Sequence, residues 1–365
     1  MAQRPRVTVL GSLNTDISLP VPRLPSPGET VLATAPASIG TGGKGANQAV
    51  AAARLGAATR MVGCCGEDEF GARLRGALAA EGIDVAGLRS VAGAASGLAL
   101  ITVDPAGENV IAVAPGANAL ASDAEVAAAF AAPCDVLVLS AEIPVPVLAS
   151  ALRRANAGGW RGDGGAVARG GGGPGWKGDG GAVARGGGGR TARTVLNLAP
   201  VPDGAAGLLA DPPDWLVVNA HEAAALLGTE PGDVAEAQAM AARLAAGEPW
   251  AGHGPAADPG AGGGPGGRYV VITLGGAGAV LAGPSVAAAV AGFSVPVLDT
   301  VGAGDAFVGA LAVALAAGLD PVEAVRAACA AGAAATTRRG AQDGLPRPAD
   351  VLAATGFKWP AGAGS

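Results

Sequence analysis

The sequence is poor in aromatic side chains, histidine and cysteine. Aromatics make up 3% of its 365 residues, with a single Tyr. A binding face built from stacked rings therefore has little to draw on. The four cysteines (Cys64, Cys65, Cys134, Cys329) lack metal-ligand spacing, and the two histidines, His221 and His253, lie far apart. That pattern argues against a disulfide scaffold and a zinc site. The adjacent Cys64 and Cys65 read as small buried thiols at a strand end. Lys and Arg form no long run and the net charge is −6, so the basic stripe that a general nucleic-acid binder needs is missing. No stretch approaches the ~20 strongly apolar residues of a membrane span. Residues 1–6 lead straight into an apolar strand, which leaves no room for a secretion signal. The expectation is a cytoplasmic protein with neither nucleic-acid nor membrane partners.

What is present is half apolar, much of it Ala, with 62 Gly. Small side chains suit closely packed helices and tight turns. Residues 7–11 form a short apolar run ending in Gly, the pattern of a buried strand. An Ala-rich helix over 44–55 stops at Gly56; a strand at 59–63 and a helix at 69–80 follow. Runs at 98–103 and 109–113 flank a turn and read as a hairpin. Strands are expected again at 135–139, 194–198, 215–218 and 269–274, and Ala-rich helices at 303–317 and 321–337. This alternation predicts an α/β fold, a doubly wound, mostly parallel sheet with helices on both faces. Residues around 13–40 and 96–114 break the alternation and predict a separate small sheet that covers a site.

Two segments stand apart. A 16-residue unit starting at Trp160 repeats from Trp176, with Lys177 for Arg161. Two copies are too few for a solenoid, and glycine at this density reads as a flexible insert. Residues 247–267 are a second Gly/Pro-rich stretch. The expected organisation is one domain over 1–345 with inserts at 158–193 and 247–267, then a C-terminal tail at 346–365.

Four clusters carry candidate chemistry. In Asp299-Thr300-Val301-Gly302-Ala303-Gly304-Asp305, an apolar, strand-like run at 293–298 precedes paired glycines and a long helix follows. The glycines leave the amides at the helix start uncovered, which makes an anion site. Complementing the helix dipole explains Asp305 but not Gly302, Gly304 or Asp299. Gly40-Thr41-Gly42-Gly43-Lys44-Gly45 fits a dinucleotide fingerprint by letter only, because it starts some thirty residues after the first strand; Gly45 after Lys44 rules out a P-loop. A Gly-rich turn remains, feeding a helix that carries Lys44 and Asn47, groups suited to a polyol. Asn14 and Asp16 follow the first strand two apart, so both face one side of an extended segment, where a carboxylate and an amide suit vicinal hydroxyls. Asn219, with Glu222 three residues on, opens a helix; a capping box explains it, and the same placement suits phosphate or magnesium-bound water. Thr273, Gly275 and Gly278 form a strand-to-turn element able to pass close to a nucleotide.

Taken together these motifs resemble the ribokinase-like (PfkB) sugar kinases. The resemblance runs from about Val7 to Gly344 outside the two inserts. It rests on the Asn14/Asp16 and Asp299–Asp305 segments, Pro27-Gly28-Glu29-Thr30, Gly42-Gly43-Lys44-Gly45-Ala46-Asn47-Gln48-Ala49, Gly107-Glu108-Asn109 and Asn219-Ala220-His221-Glu222. It implies a Rossmann-like core with a small β lid and transfer of phosphate from ATP to the 5-hydroxyl of D-ribose. Asn14, Asp16, Gly42, Gly43, Lys44, Asn47 and Glu142 would hold the sugar, with Asp305 as base and the Gly302, Ala303 and Gly304 amides as anion hole. Asn219, Glu222, Thr273, Gly275, Gly278 and Gly304 would lie by ATP and Mg2+. A K+ ion is implied near Asp299, Val301, Ala335, Arg338, Gly340 and Gly344, the last replacing a serine common in the family. A homodimer is implied through the lids. Kinases for nucleosides, fructose or deoxyribose, and a non-catalytic sugar-binding regulator, remain as alternatives.

Overall fold

The computed structural model describes residues 4–158, 192–248 and 268–360. The tandem repeat and nearly all of the second Gly/Pro-rich stretch lie outside the described residues. The chain runs β1 (Arg6–Leu10), β2 (Asn14–Pro20), β3 (Ser38–Gly42), α1 (Lys44–Arg54), β4 (Ala58–Gly66), α2 (Glu69–Ala80), β5 (Asp84–Val91), β6 (Gly97–Val103) and β7 (Asn109–Ala114). It continues through α3 (Asp123–Ala129), β8 (Val136–Ser140), α4 (Val145–Asn156), β9 (Arg193–Asn197), β10 (Trp215–Asn219), α5 (Ala220–Leu227) and α6 (Val234–Ala245). The last elements are β11 (Tyr269–Thr273), β12 (Gly278–Gly283), β13 (Val286–Ala291), α7 (Ala303–Ala316), α8 (Pro321–Ala335) and α9 (Pro348–Thr355).

Among the described residues the main sheet has nine strands in the order β13-β12-β11-β10-β9-β8-β1-β4-β5. Every pairing is parallel except β11–β12 and β12–β13, so β12 alone runs against the other strands. The strands are apolar on both sides, as a sheet covered on both faces requires. Val7, Val9, Val136 and Val138 join the core under α1, α7 and α8. Their neighbours Leu10, Leu137 and Leu139 join the opposite core, under α3, α4 and α6. The chain leaves β1 for β4 on one side and later returns to β8 on the other, so a crevice opens at the carboxyl ends of β1 and β8. The smaller sheet, β3-β2-β6-β7, is formed by the segments expected to break the alternation.

The abundance of small residues is used where α1 crosses α7. A Cβ on Gly309 would lie 2.6 Å from the Ala51 Cβ and 2.8 Å from the Gln48 carbonyl. Only glycine permits that approach. It brings the first turn of α7, one turn before Gly309, against Asn47 and Gln48.

Three expectations need correction. Residues 293–298 form no strand; the edge strand is β13 instead. Pro296 has no N–H for a ladder, and the Leu298 and Asp299 amides donate to the Thr336 carbonyl at 2.7 and 3.2 Å. Val297 and Leu298 are 63% and 59% exposed. β5 was not foreseen, since its sequence, Asp84-Val85-Ala86-Gly87-Leu88, does not alternate and its pairing with β4 shifts register between Arg60 and Val62. The segment read as a tail from 346 begins with α9, which buries Val351 in the main core. Beyond α9, the Trp359 indole donates to the Leu55 carbonyl at 3.0 Å.

Candidate active site

Asp305 lies in the first turn of α7 and is 7% exposed. Its two carboxylate oxygens receive separate donors from α1: Asn47 Nδ2 reaches Oδ2 at 2.9 Å and Gln48 Nε2 reaches Oδ1 at 3.0 Å. Gly302 caps the helix in the left-handed conformation at φ 79°, where a Cβ would also press on the Ala341 carbonyl at 2.7 Å. The three amides expected to form an anion hole differ in their bonding. The Ala303 amide donates to the Thr300 carbonyl at 3.2 Å, whereas the Gly302 and Gly304 amides have no acceptor among the described residues.

The crevice at the end of β1 carries the sugar-site candidates. Glu142, just after β8, accepts from the Ser12 hydroxyl at 2.5 Å and from the Lys44 amide at 3.0 Å. Asn14 and Asp16 sit on β2 opposite Gly42 and Gly40 of β3. The Asp16 carboxylate lies over the α-carbon of Gly42, where any side chain at that position would collide with it. Gly43 turns the chain into α1 at φ 88°, and a Cβ there would meet the Asn14 amide at 2.7 Å. Asn14 is oriented by Asn118, which donates to its Oδ1 at 2.8 Å while exchanging bonds with the Leu13 amide and carbonyl.

Charge in the crevice is unbalanced. Burial, followed by the nearby Glu142 and Asp305 carboxylates, pushes the Asp16 carboxyl up to about 6. Burial also raises Asp305, against the pull of the Lys44 ammonium and the Asn47 and Gln48 amides. For Lys44, burial acts downward, but Asp305, Glu142 and Glu222 together hold the ammonium above its ordinary value. Lys44 is therefore the cation that the surrounding carboxylates share.

On the far side, β10 and β11 end side by side at Asn219 and Thr273. The capping box is formed: Asn219 Oδ1 accepts from the Glu222 amide and Glu222 Oε2 from the Asn219 amide, both at 2.8 Å. A cavity of about 440 Å³ opens there, lined by Asn219, His221, Glu230, Asp233, Thr273 and Gly275 among others. Gly278 does not line it; that residue starts β12 at φ 101°, packed against the Val290 carbonyl. Burial raises the Glu222 carboxyl, opposed by its bond from the Asn219 amide and by Lys44. The Glu222 carboxylate suits water held by a magnesium–nucleotide pair, not a dedicated cage, and no cluster of three His, Cys, Asp or Glu able to hold a metal occurs among the described residues.

The implied cation residues do come together. Asp299 accepts from the Val301 amide at 3.0 Å and from the Gly340 amide at 2.8 Å. A Cβ on Gly344 would lie 2.7, 3.4 and 3.5 Å from the carbonyl oxygens of Gly340, Ala335 and Arg338. Three carbonyls converging beside one carboxylate form a hard-oxygen donor set that fits a large monovalent cation.

The sequence alone assigns no role to Gln48, Ser12, Asn118 or Asn197. Gln48 had one available signal, its place directly after Asn47 in the Gly-rich motif. The others are single polar residues whose partners are distant in sequence.

An α/β sheet with a small covering sheet and a buried carboxylate at a glycine-capped helix start defines a phosphotransferase of the ribokinase type. The model of the pfkB family of carbohydrate kinases matches residues 4–161 and 262–348, and the chain belongs to that family. It is 32% identical to the ribokinase of Haemophilus influenzae over 354 residues, 96% of this chain and 98% of that protein. It is 30% identical to the ribokinase of Schizosaccharomyces pombe over 355 residues, 94% of this chain and 96% of that one. Among solved structures, Arabidopsis thaliana ribokinase complexed with ribose and ATP matches at a TM-score of 0.72 and 26% identity, covering 96% of this chain and 98% of that one. No helix among the described residues is long and apolar enough to cross a membrane.

Proposed function

We propose that the protein transfers the γ-phosphoryl group of ATP to the 5-hydroxyl of D-ribose, giving ribose 5-phosphate and ADP. The observation that carries this reading is Asp305: a buried carboxylate at a helix start, adjoining the polar crevice of Asn14, Asp16, Lys44, Asn47 and Glu142. The full-length similarity to two ribokinases supports ribose as the acceptor. The scarcity of aromatic rings argues against a nucleoside base in the site.

Phosphoryl transfer needs positioning and neutralisation of charge more than covalent help. Asp305 Oδ accepts the proton of the hydroxyl, a role typically worth ~10²–10⁴ in rate. Asn14 and Asp16 on β2, with Gly42, Gly43 and Lys44, orient the sugar. The Gly302 and Gly304 amides face the transferring group, with the Ala303 amide joining once its bond to Thr300 opens; each such donor is worth roughly 3 kcal/mol. Asn219, Glu222, Thr273 and Gly275 would hold the nucleotide and its magnesium, which supplies counter-charge to the phosphates. Asp299, Val301, Ala335, Arg338, Gly340 and Gly344 would hold potassium. Closure of the small sheet excludes water, the competing acceptor. That sheet also exposes Ile39, Leu100, Val110, Ile111 and Val113, apolar area that a second copy would cover in a homodimer.

The test is ADP release across a panel of ribose, deoxyribose, fructose and nucleosides, with and without potassium. Ribose is expected to give the highest kcat/KM, and preference for another acceptor would overturn the assignment. Asp305→Asn is expected to lower turnover more than tenfold while ribose still binds; turnover above a tenth of the parent's would refute the base.

A further inference from the structure

Gln48 is fully buried in α1, and its one amide nitrogen serves two acceptors. Nε2 lies 3.0 Å from Asp305 Oδ1 and 2.9 Å from Asn197 Oδ1. Asn197, at the end of β9, is itself fixed, because its Nδ2 donates to the Val217 carbonyl of β10 at 3.3 Å. That bond directs the Asn197 oxygen toward Gln48, and Gln48 in turn must present its nitrogen to both neighbours. A chain of hydrogen bonds thus runs from the central sheet through α1 to the first turn of α7.

We propose that Gln48, held by Asn197, is a positioning residue that fixes the Asp305 carboxylate for proton acceptance. The proposal rests on the reading of Asp305 as the base. Filling the α1–α7 crossing does not require a polar residue: Ala49, Ala51, Ala52 and Ala310 pack there without one. Gln48 even leaves its own Oε1 buried with no partner among the described residues, a cost that an apolar side chain of the same size would avoid. What glutamine adds is a donor on Oδ1, matching the Asn47 donor on Oδ2. Each oxygen then has one fixed partner and keeps lone-pair capacity for the incoming hydroxyl. The Gly309 crossing makes the mount rigid, since α1 and α7 are in backbone contact there.

The charged groups facing Asp305 are Lys44 from α1, Glu142 from the end of β8 and Asp16 from β2. Removing the Gln48 donor leaves the two carboxylates unchanged and takes away one group that favours the ionised base. The acid limb of the kcat profile must then move to higher pH.

The experiment compares full-length Gln48→Met and Asn197→Ser with the parent, following kcat against pH, ribose affinity by calorimetry, and thermal melting. Gln48→Met is expected to lower kcat about 10- to 100-fold, to shift the acid limb upward, and to leave the ribose Kd within about threefold. Asn197→Ser is expected to shift the limb in the same direction with a kcat loss of only a few fold, because Gln48 stays but loses its anchor; it carries the test if Gln48→Met does not fold. A folded variant of either kind with an unshifted acid limb overturns the proposal. A parent protein without acceptor-dependent ADP release would instead sink the kinase reading. An active parent that loses turnover with Asp305→Asn but keeps it with Gln48→Met sinks only the positioning role.

Discussion

The Thr41 hydroxyl on β3 of the small sheet donates to Gln342 Oε1 at 2.5 Å, so the sheet that carries Asn14 and Asp16 is latched to the loop that carries the Arg338 and Gly340 carbonyls. The same loop is held from below by Arg54, whose guanidinium reaches the Gln342 and Leu345 carbonyls at 2.6 and 2.8 Å. A movement of β3 would therefore be felt at Gln342.

This latch predicts coupling between potassium and ribose. Linkage requires each ligand to change the affinity of the other by the same factor. A single neutral hydrogen bond contributes about 1 kcal/mol, or about fivefold. Ribose affinity by calorimetry is expected to rise about fivefold from choline to potassium buffer, and Thr41→Val is expected to reduce that gain to less than twofold. An undiminished gain in the variant would show that the coupling runs elsewhere.

The Asp16 carboxyl predicts a pH dependence of sugar binding. Its hydrogen-bond acceptance is greatest when ionised, and burial beside Glu142 and Asp305 lifts its midpoint to about 6. Ribose affinity is expected to fall as pH drops through about 6, and Asp16→Asn to flatten that part of the curve. The stability effect has the opposite sense. A carboxyl raised in the folded state destabilises it above the folded midpoint, and the penalty disappears as pH falls below the unfolded value of 3.8. Asp16→Asn is therefore expected to stabilise the unliganded protein at pH 7.5, by on the order of 2 kcal/mol in a denaturant titration. An unchanged or lower stability would mean that the carboxylate is better solvated than its burial implies.

The parts of the site legible in the sequence were those carried by local chemistry. α1 and α2 were readable because an apolar helical run ended at a glycine or a cap, and the Asn219/Glu222 capping box is a four-residue pattern. Asn14 and Asp16 were placed on one side of a strand by period alone. What could not be read depends on partners far along the chain. Asn118 meets Asn14 across 104 residues and Gln48 meets Asn197 across 149, and no spacing rule reaches that far. The 293–298 segment misled because apolar residues ordinarily signal a strand, whereas Pro296 and the carbonyl of Thr336 remove its ladder.

Gly344 gives the sharpest test of the cation loop, because its missing side chain leaves the converging carbonyls undisturbed. Gly344→Ala places a methyl group 2.7 Å from the Gly340 oxygen, a distance at which backbone must shift. The Ala335 and Arg338 oxygens, at 3.4 and 3.5 Å, restrict where the methyl can go. The variant is expected to need several-fold more potassium for half-maximal stabilisation in a thermal-shift titration against choline, a readout independent of turnover. Gly344→Ser carries the same crowding but adds a hydroxyl ligand, so its potassium requirement should fall below that of Gly344→Ala. Alanine and serine variants with equal requirements would show that the hydroxyl does not reach the ion. An alanine variant that matched the parent would remove the carbonyl cluster from the cation site.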